Sequence, residues 1–102
     1  MHVVIFRSTR TTNEETLYAE WAGRTEDAVV NVPGYVSHFG FWDRATRRGV
    51  TVAYFDSEEA VRTWRDHPVH ETARQLGREH FYEDFTLEVA RVERSYDWRR
   101  EA

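Results

Sequence analysis

Apolar residues along the chain follow two spacings, one typical of strands and one typical of helices. Continuous or alternating apolar runs predict strands over residues 3–6, 35–42, 50–55 and 85–94. Apolar positions three and four apart predict a helix over residues 13–30, a second over residues 57–64, and a third over 67–80. The order of elements is therefore β, α, β, β, a helix in two pieces, and β.

Start and stop signals support these boundaries. Thr12 with Glu15 three residues later predicts a capping box at the start of the first helix. Pro33 cannot continue that helix, and the following Gly34 turns the chain into the second strand. The polar stretch DRATRRG predicts a hairpin loop between the second and third strands.

Two further signals concern the second half of the chain. Ser57 is expected to cap the second helix, and Pro68 to separate it from the third. In the last strand, Phe85, Leu87 and Val89 share one phase, whereas the apolar positions at 90 and 92 share the other. Because a slip of one residue exchanges the two faces of a strand, this change of phase predicts a bulge near residue 90.

The order of elements predicts an α+β fold with one domain over residues 1–102, of which about 97–102 form a polar tail. With right-handed crossovers, βαββαβ gives a ferredoxin-like antiparallel sheet with its helices on one face. The first three strands nevertheless carry apolar or aromatic residues on both faces. We therefore expect a homodimer whose sheets pack face to face. The tail SYDWRREA, with two isolated rings, is interpreted as an arm that packs on a neighbouring copy.

Composition excludes several classes of function. The net charge is −4, and the 14 basic residues, all Arg, are interspersed with acidic ones, so no basic face for nucleic acid is expected. There is no cysteine, which removes disulfides and thiolate chemistry. No apolar run is long enough to span a membrane, and the amino-terminal stretch lacks a signal-peptide pattern, so a cytoplasmic protein is expected.

Candidate chemistry concentrates in the stretch TWRDHPVHETARQ, residues 63–75. Trp64 lies on the side of its helix that should face the sheet, so it is expected to anchor the core. His67, next to Pro68, either bonds a free backbone group or acts as a base; His70 is either a partly exposed helical residue or a neutral imidazole that accepts a phenolic proton. A metal would need these two histidines and a third ligand from a carboxylate or from His2, His38 or His80, and no spacing enforces one.

The sequence resembles the antibiotic biosynthesis monooxygenase family of dimeric α/β barrels over residues 2–96. The resemblance rests on the VPGY turn, the run VAYFDSEEAVRTWRDHPVH and the closing FYEDFTLEVARVER. Its most specific part is a pattern of separate positions: Phe55, Glu58 or Glu59, Ala60, Trp64, His67, Pro68 and His70. The resemblance implies the dimeric barrel assembly. Members of this fold include cofactor-independent oxygenases of polycyclic aromatics, haem-degrading oxygenases, isomerases, cyclases and proteins without known activity.

Haem degradation is disfavoured by two departures from the haem-degrading members. Those relatives hold the iron through a histidine ten residues after the helix tryptophan, where this chain has Arg74. They also place an asparagine on the first strand, where this chain offers Phe6 and Arg7. His70 could replace the missing ligand only after a shift of one helical turn.

An organic aromatic substrate remains, handled without cofactor or metal. The expected base is His38, His67 or His70, and the expected cations are Arg7 and Arg74. The expected pocket walls are aromatic: Phe39, Phe41, Trp42, Tyr54, Trp64 and Phe81. The predicted function is a cofactor-independent monooxygenase of secondary metabolism acting on a polycyclic phenol or related polyketide. The alternatives are a cyclase or isomerase that uses the same pocket without dioxygen, and a dimer that binds a ligand without transforming it.

Overall fold

The computed structural model describes residues 1–101, which form four strands and three helices. Ala102, the last residue of the predicted tail, lies outside the described residues. The elements are, in chain order, β1 His2–Arg10, α1 Glu15–Val29, β2 Tyr35–Asp43, β3 Arg48–Phe55, α2 Glu58–Arg65, α3 Pro68–Leu76, a π-helical turn Gly77–Phe81, and β4 Tyr82–Arg91. Residues 92–101 follow without helix or strand and are called the arm below.

The four strands form one antiparallel sheet in the order β2-β3-β1-β4. The two helical connections place both crossovers on the same side, which is the ferredoxin-like arrangement predicted from the order of elements. Strands β2 and β4 are the two edges, so the sheet is open. Among residues 1–101, none of the helices combines the length and apolar character of a membrane span.

The register assigns each strand residue to one of two faces. Val4 pairs with Ala53 of β3 and with Val89 of β4, and Val4 and Ala53 pack against the helices. We call this the inner face, and the opposite one the outer face. Residues of the outer face include Ile5, Arg7, Phe39, Phe41, Val50, Val52, Tyr54 and Glu88.

The core lies between the inner face and the helices. It consists of Val29, Val32, Phe55, Ala60 and Val61, and Phe55 has 0% of its surface exposed. Phe55 ends β3 just before α2 begins, so one side chain joins the sheet to both the α1 and α2 regions. Burial of such a side chain contributes roughly 1.5–3 kcal/mol.

The turn that leads into β2 requires glycine. Gly34 has φ of 91°, in the left-handed region, and its carbonyl accepts a 2.8 Å hydrogen bond from the Asp56 N–H. A Cβ at this position would lie 2.7 Å from the Ala60 Cβ and against the Asp56 carboxylate. The VPGY turn therefore brings the start of β2 against the start of α2.

The predicted capping box at the first helix is wrong. Helix α1 begins at Glu15, and its N-cap residue, Glu14, is left-handed with φ 54° and makes no side-chain cap. The carboxylate of Glu15 does not reach back to the backbone because the guanidinium groups of Arg10 and Arg47 bind it. The predicted strand limits of 3–6 and 50–55 were also too narrow, since β1 and β3 extend into the polar residues at their loop ends.

The predicted bulge near residue 90 is also wrong. Pairing of β1 with β4 runs without interruption from His2↔Arg91 to Thr9↔Asp84 and shifts only between Thr9 and Arg10. The strand begins at Tyr82, earlier than the predicted residue 85, and ends at Arg91. The mixed pattern in the sequence arises because β4 is an edge strand exposed on both faces, so neither face requires a strict apolar alternation.

The predictions for Ser57 and Pro68 are confirmed. The Ser57 hydroxyl accepts a 3.1 Å hydrogen bond from the Ala60 N–H at the start of α2. Pro68 begins α3 as its first residue, where the missing N–H has no cost.

Candidate functional site

The break between α2 and α3 positions His67. Its Nδ1 accepts a 3.1 Å hydrogen bond from the Val69 N–H, so His67 is the N-cap of α3. A ring nitrogen that accepts a hydrogen bond carries no hydrogen, so the neutral ring bears its N–H at Nε2. His67 therefore has the structural role considered in the sequence analysis, a hydrogen bond to a free backbone group beside Pro68. Its Nε2–H remains as a donor.

His70 and Trp64 form a stacked pair at the same corner. Their ring centroids are 4.4 Å apart with an interplanar angle of 17°, and the His70 Nδ1 lies 3.0 Å from the Trp64 carbonyl oxygen. Because a carbonyl only accepts, Nδ1 carries the hydrogen and Nε2 of the neutral ring is an acceptor. His67 lies on the same indole, with a centroid distance of 5.5 Å. The corner thus combines a flat apolar surface, one imidazole donor and one imidazole acceptor.

The environment keeps His70 neutral. Burial and, to a smaller extent, the positive charge of Arg74 lower the pKa of His70 to about 4, against the opposing effect of the Trp64 and Arg65 carbonyls. At pH 7 the imidazole is therefore unprotonated. It is a weaker base than an ordinary histidine.

Arg74 adds a cation with an unmet hydrogen bond. Its Nε is buried and has no hydrogen-bond partner among residues 1–101. Arg74 also lines an open cleft of about 550 Å³ along α3. The residues that line this cleft are Pro68, Glu71, Thr72, Arg74, Gln75 and Arg78.

His38 has a separate set of contacts. Its Nδ1 lies 2.6 Å from the Tyr35 hydroxyl, and its Nε2 lies 3.7 Å from a carboxylate oxygen of Glu26 in α1. With Nδ1 as acceptor, the tyrosine donates and the Nε2–H faces the carboxylate. These contacts of Tyr35, His38 and Glu26 join α1 to β2. The three candidate bases therefore lie in two places: His67 and His70 at the start of α3, and His38 in β2.

The expected aromatic walls do not come together. Phe39, Phe41 and Tyr54 lie on the outer face of the sheet, opposite the face that Trp64 packs against. A single pocket lined by all the expected rings is therefore not formed, because alternate residues of a strand point to opposite faces. Arg7 is also on the outer face, where it pairs with Glu88 at 3.1 Å.

The other two expected walls lie on the helix side but in different surroundings. Trp42 lies beside the Arg10 guanidinium, 4.5 Å from its ring centroid. Phe81 is buried, with Tyr18 edge-on at 5.4 Å. Among the expected site residues, the structure thus brings together Trp64, His67, His70 and Arg74 at the break between α2 and α3. It also places Arg7, Phe41 and Trp42 along a second open cleft of about 650 Å³.

A metal site is not formed around the two histidines. In the part of the chain that the structure describes, no three His, Asp or Glu side chains are placed to hold one ion.

Some residues of the cleft were not anticipated. Glu71, Gln75 and Arg78 lie on the same side of the helical segment as Arg74 and line the cleft with it. Their spacing of three and four residues was visible in the sequence. The Tyr35 and Glu26 partners of His38 had no such signal, because Glu26 belongs to a different element.

Comparison with known proteins shows one relative in sequence and many in fold. No family model matches the chain. The uncharacterized protein YqjZ of Bacillus subtilis (strain 168) is 37% identical over 93 residues, which cover 91% of this chain and 80% of YqjZ.

Three solved structures illustrate the likeness in fold. Rv0793 from Mycobacterium tuberculosis has a TM-score of 0.80 at 14% identity, covering 94% of this chain and 98% of its own. An antibiotic biosynthesis monooxygenase has a TM-score of 0.78 at 13% identity, covering 90% and 98%. SnoaB from Streptomyces nogalater, a cofactor-independent oxygenase, has a TM-score of 0.75 at 16% identity, covering 92% and 94%. At these identities the likeness shows the fold.

Proposed function

We propose that this chain, a relative of YqjZ with the fold of the antibiotic biosynthesis monooxygenases, is a cofactor-independent oxygenase of an acidic, electron-rich aromatic substrate. The substrate is a phenol or enol of the polyketide type. The observation that supports this function is the corner of Trp64, His67, His70 and Arg74, which offers a flat surface, hydrogen-bonding imidazoles and a cation without an internal partner.

The indole and imidazole planes favour a flat ligand. The stack of Trp64 and His70 continues a planar surface at which a further aromatic ring can pack by offset stacking or edge to face. The His70 Nε2 accepts a hydrogen bond from a hydroxyl group, and the His67 Nε2–H can donate one to an oxygen. A polycyclic substrate with oxygen substituents provides both kinds of group.

Arg74 favours an anionic oxygen. The Arg74 side chain lines the open cleft along α3, so an anionic ligand oxygen in that cleft would lie beside its positive charge. A phenolate or enolate gains more than a neutral hydroxyl, because charge-assisted hydrogen bonds are the stronger ones.

The strength of His70 as a base limits the substrate. With a pKa of about 4, proton transfer to it from an ordinary phenol, whose pKa is about 10, would cost about 8 kcal/mol. The site therefore suits a substrate whose hydroxyl or enol is already acidic and that binds as its anion beside Arg74. His70 then orients the substrate more than it deprotonates it.

The chemistry requires no other reductant. The substrate anion transfers an electron to dioxygen, the resulting pair forms a carbon–oxygen bond, and a proton completes a hydroperoxide. Loss of water from that hydroperoxide converts a ring CH₂ group into a carbonyl. One oxygen atom enters the product, the other leaves as water, and both hydrogens of the water come from the substrate. The protein binds the anion and excludes bulk water.

A dimer belongs to this proposal. The outer face exposes Phe39 and Phe41, 47% and 72% exposed, beside the half-buried Ile5, Val50 and Val52. Such a continuous apolar face is covered in solution when two copies pack sheet to sheet, gaining about 25 cal/mol for each Å² buried. The two-fold assembly is the barrel that the resemblance implies.

Oxygen uptake with an anthrone tests the activity. We expect one mole of oxygen consumed per mole of quinone formed. The rate should fall at least tenfold in Arg74→Met and Trp64→Leu, since each removes a group that binds the anion or its ring plane. The matched control is Arg62→Met, which removes an exposed arginine of α2 that pairs with Glu58.

The three functions predicted from the sequence give different outcomes in this experiment. A product of unchanged mass would replace the oxygenase with an isomerase or cyclase. Saturable binding, weakened by Arg74→Met and without any product, would replace it with a ligand-binding protein. If none of a panel of acidic anthrones, phenols and enols binds, the corner is not the site.

A further inference from the structure

We propose that the arm of one protomer packs on the partner protomer, where Tyr96 and Trp98 cover an apolar stripe of β4 and complete the cleft along α3. This inference rests on the dimer of the proposed function. The occupant of the stripe is thus a second copy of this chain, and the partner supplies aromatic walls that a protomer's own sheet does not provide.

The stripe consists of three side chains on the inner face of β4. Phe85, Leu87 and Val89 pair in register with inner-face residues of β1, so they point to the helix side. They are nevertheless 39%, 47% and 48% exposed, because the helices pack over the other strands and leave the β4 edge open. Three large apolar side chains in a row on an edge strand form a surface that a partner can cover.

The arm carries a matching row. Tyr96 and Trp98 are 88% and 72% exposed, so within one protomer they have almost no apolar contact. Residues two apart in an extended segment point to the same side, which is the spacing of the stripe itself. Both rings can therefore meet the stripe together.

The arm does not serve its own protomer. Within one protomer the arm leaves Tyr96 and Trp98 exposed, so it does not lie on its own stripe. The ten residues of the arm can extend about 33 Å at roughly 3.3 Å per residue. Trp98 is the seventh residue of the arm, so it can lie up to about 23 Å from the end of β4. This distance matches the shortest dimension of a protomer, which measures 42 × 33 × 23 Å.

The stripe adjoins the candidate site. The guanidinium of Arg78 lies 5.8 Å from the ring centroid of Phe85, and Arg78 and Arg74 line the same cleft. An aromatic ring seated on the stripe would lie near Arg78, where cation–π attraction adds to apolar contact. The partner's rings would then form the open wall of the cleft.

Disulfide cross-linking tests this placement, because the natural chain has no cysteine. The variants Leu87→Cys and Trp98→Cys are prepared separately, mixed, allowed to exchange subunits and oxidised. We expect most mixed dimers to become covalent, since the two thiols come from different copies. The matched control mixes Trp98→Cys with Val30→Cys, an exposed position at the end of α1, and should give little covalent product.

A second measurement tests the energetic role of the rings. Tyr96→Ala combined with Trp98→Ala should raise the dimer dissociation constant about tenfold or more, because it removes aromatic contacts that are buried in the proposed dimer. It should also raise KM for the aromatic substrate, whereas Glu93→Ala in the same arm should change neither.

The outcomes separate the inference from the dimer on which it rests. A natural chain that sediments as a monomer at the cross-linking concentration overturns both. A dimer that gives no more cross-link between Leu87→Cys and Trp98→Cys than the control overturns only the placement of the arm. Cross-linking within one chain of a double variant, in place of cross-linking between chains, also overturns it.

Discussion

At the scale of single residues, one arginine that packs against two aromatic rings connects three elements at one end of the sheet. The Arg10 guanidinium lies 3.6 Å from the ring centroid of Tyr18 in α1 and 4.5 Å from that of Trp42 in β2, and it also pairs with Glu15 at 3.1 Å. Only 10% of the Arg10 side chain is exposed. One arginine thus links β1, α1 and the β2–β3 hairpin by contacts that its position in the sequence does not reveal.

Glycine at position 34 is required by the turn. Gly34→Ala should lower the free energy of unfolding by about 2 kcal/mol or more, because a left-handed residue gains a Cβ that meets Ala60 and Asp56. The matched control is Gly23→Ala in α1, where a Cβ meets nothing within 4 Å and which should stabilise by about 0.5–1 kcal/mol. Urea unfolding measures both. Equal effects of the same sign would contradict the steric account.

Protonation of His70 should oppose folding in acid. The unfolded residue binds a proton near its ordinary pKa of 6.5, whereas the folded one does so at about 4. Between these values the unfolded state holds more protons, so this contribution to stability is present above pH 6.5 and is lost as the pH falls, by up to about 1.4 kcal/mol per pH unit. Unfolding measured from pH 7 to pH 4 should show a shallower slope for His70→Gln than for the natural chain, and His80→Gln serves as the control. An unchanged slope for His70→Gln would contradict the lowered pKa of His70 and its description as a buried neutral imidazole.

At the scale of elements, the start of α3 depends on a side chain that also lies at the candidate site. His67→Ala removes the N-cap and should cost about 1 kcal/mol, whereas His67→Asn supplies another capping acceptor and should recover most of it. Thermal unfolding measures both. If His67 also donates to the substrate through Nε2, the Asn variant regains stability without regaining activity. Equal recovery of both would leave His67 with the capping role alone.

The elements also show why some boundaries follow from the sequence and others do not. Ser57 and Pro68 act on their own helix within one turn, so the sequence predicts them correctly. Thr12 and Glu15 have the same local pattern, yet Glu15 binds Arg10 and Arg47 from other parts of the chain. A tertiary ion pair thus overrides a local cap.

At the scale of the whole molecule, the proposed dimer depends on the outer face of the sheet. Phe41→Glu places a charge within the proposed sheet-to-sheet interface and should yield a monomer, because burying an unpaired carboxylate there costs several kcal/mol. Val30→Glu, an equally polar change at another exposed apolar position, should remain a dimer. Sedimentation at micromolar concentration distinguishes them. A Phe41→Glu variant that dimerises as well as the natural chain would place the interface elsewhere.

The sequence by itself determined the order of the elements, the ferredoxin-like sheet and the corner of Trp64, His67, His70 and Arg74. These follow from local signals: apolar spacing of two or three to four residues, caps, breakers, and residues within three or four positions on adjoining helices. A pattern confined to one element survives folding because its partners are already neighbours in the chain.

Only the tertiary structure decided which rings share a pocket with that corner. Phe39, Phe41 and Tyr54 were grouped with Trp64 by residue type, but the register placed them on the opposite face of the sheet. The same holds for the left-handed start of α1 and for the lowered pKa of His70. Faces, ion pairs and burial are relations between distant segments. They depend on how the elements pack, which no local pattern contains.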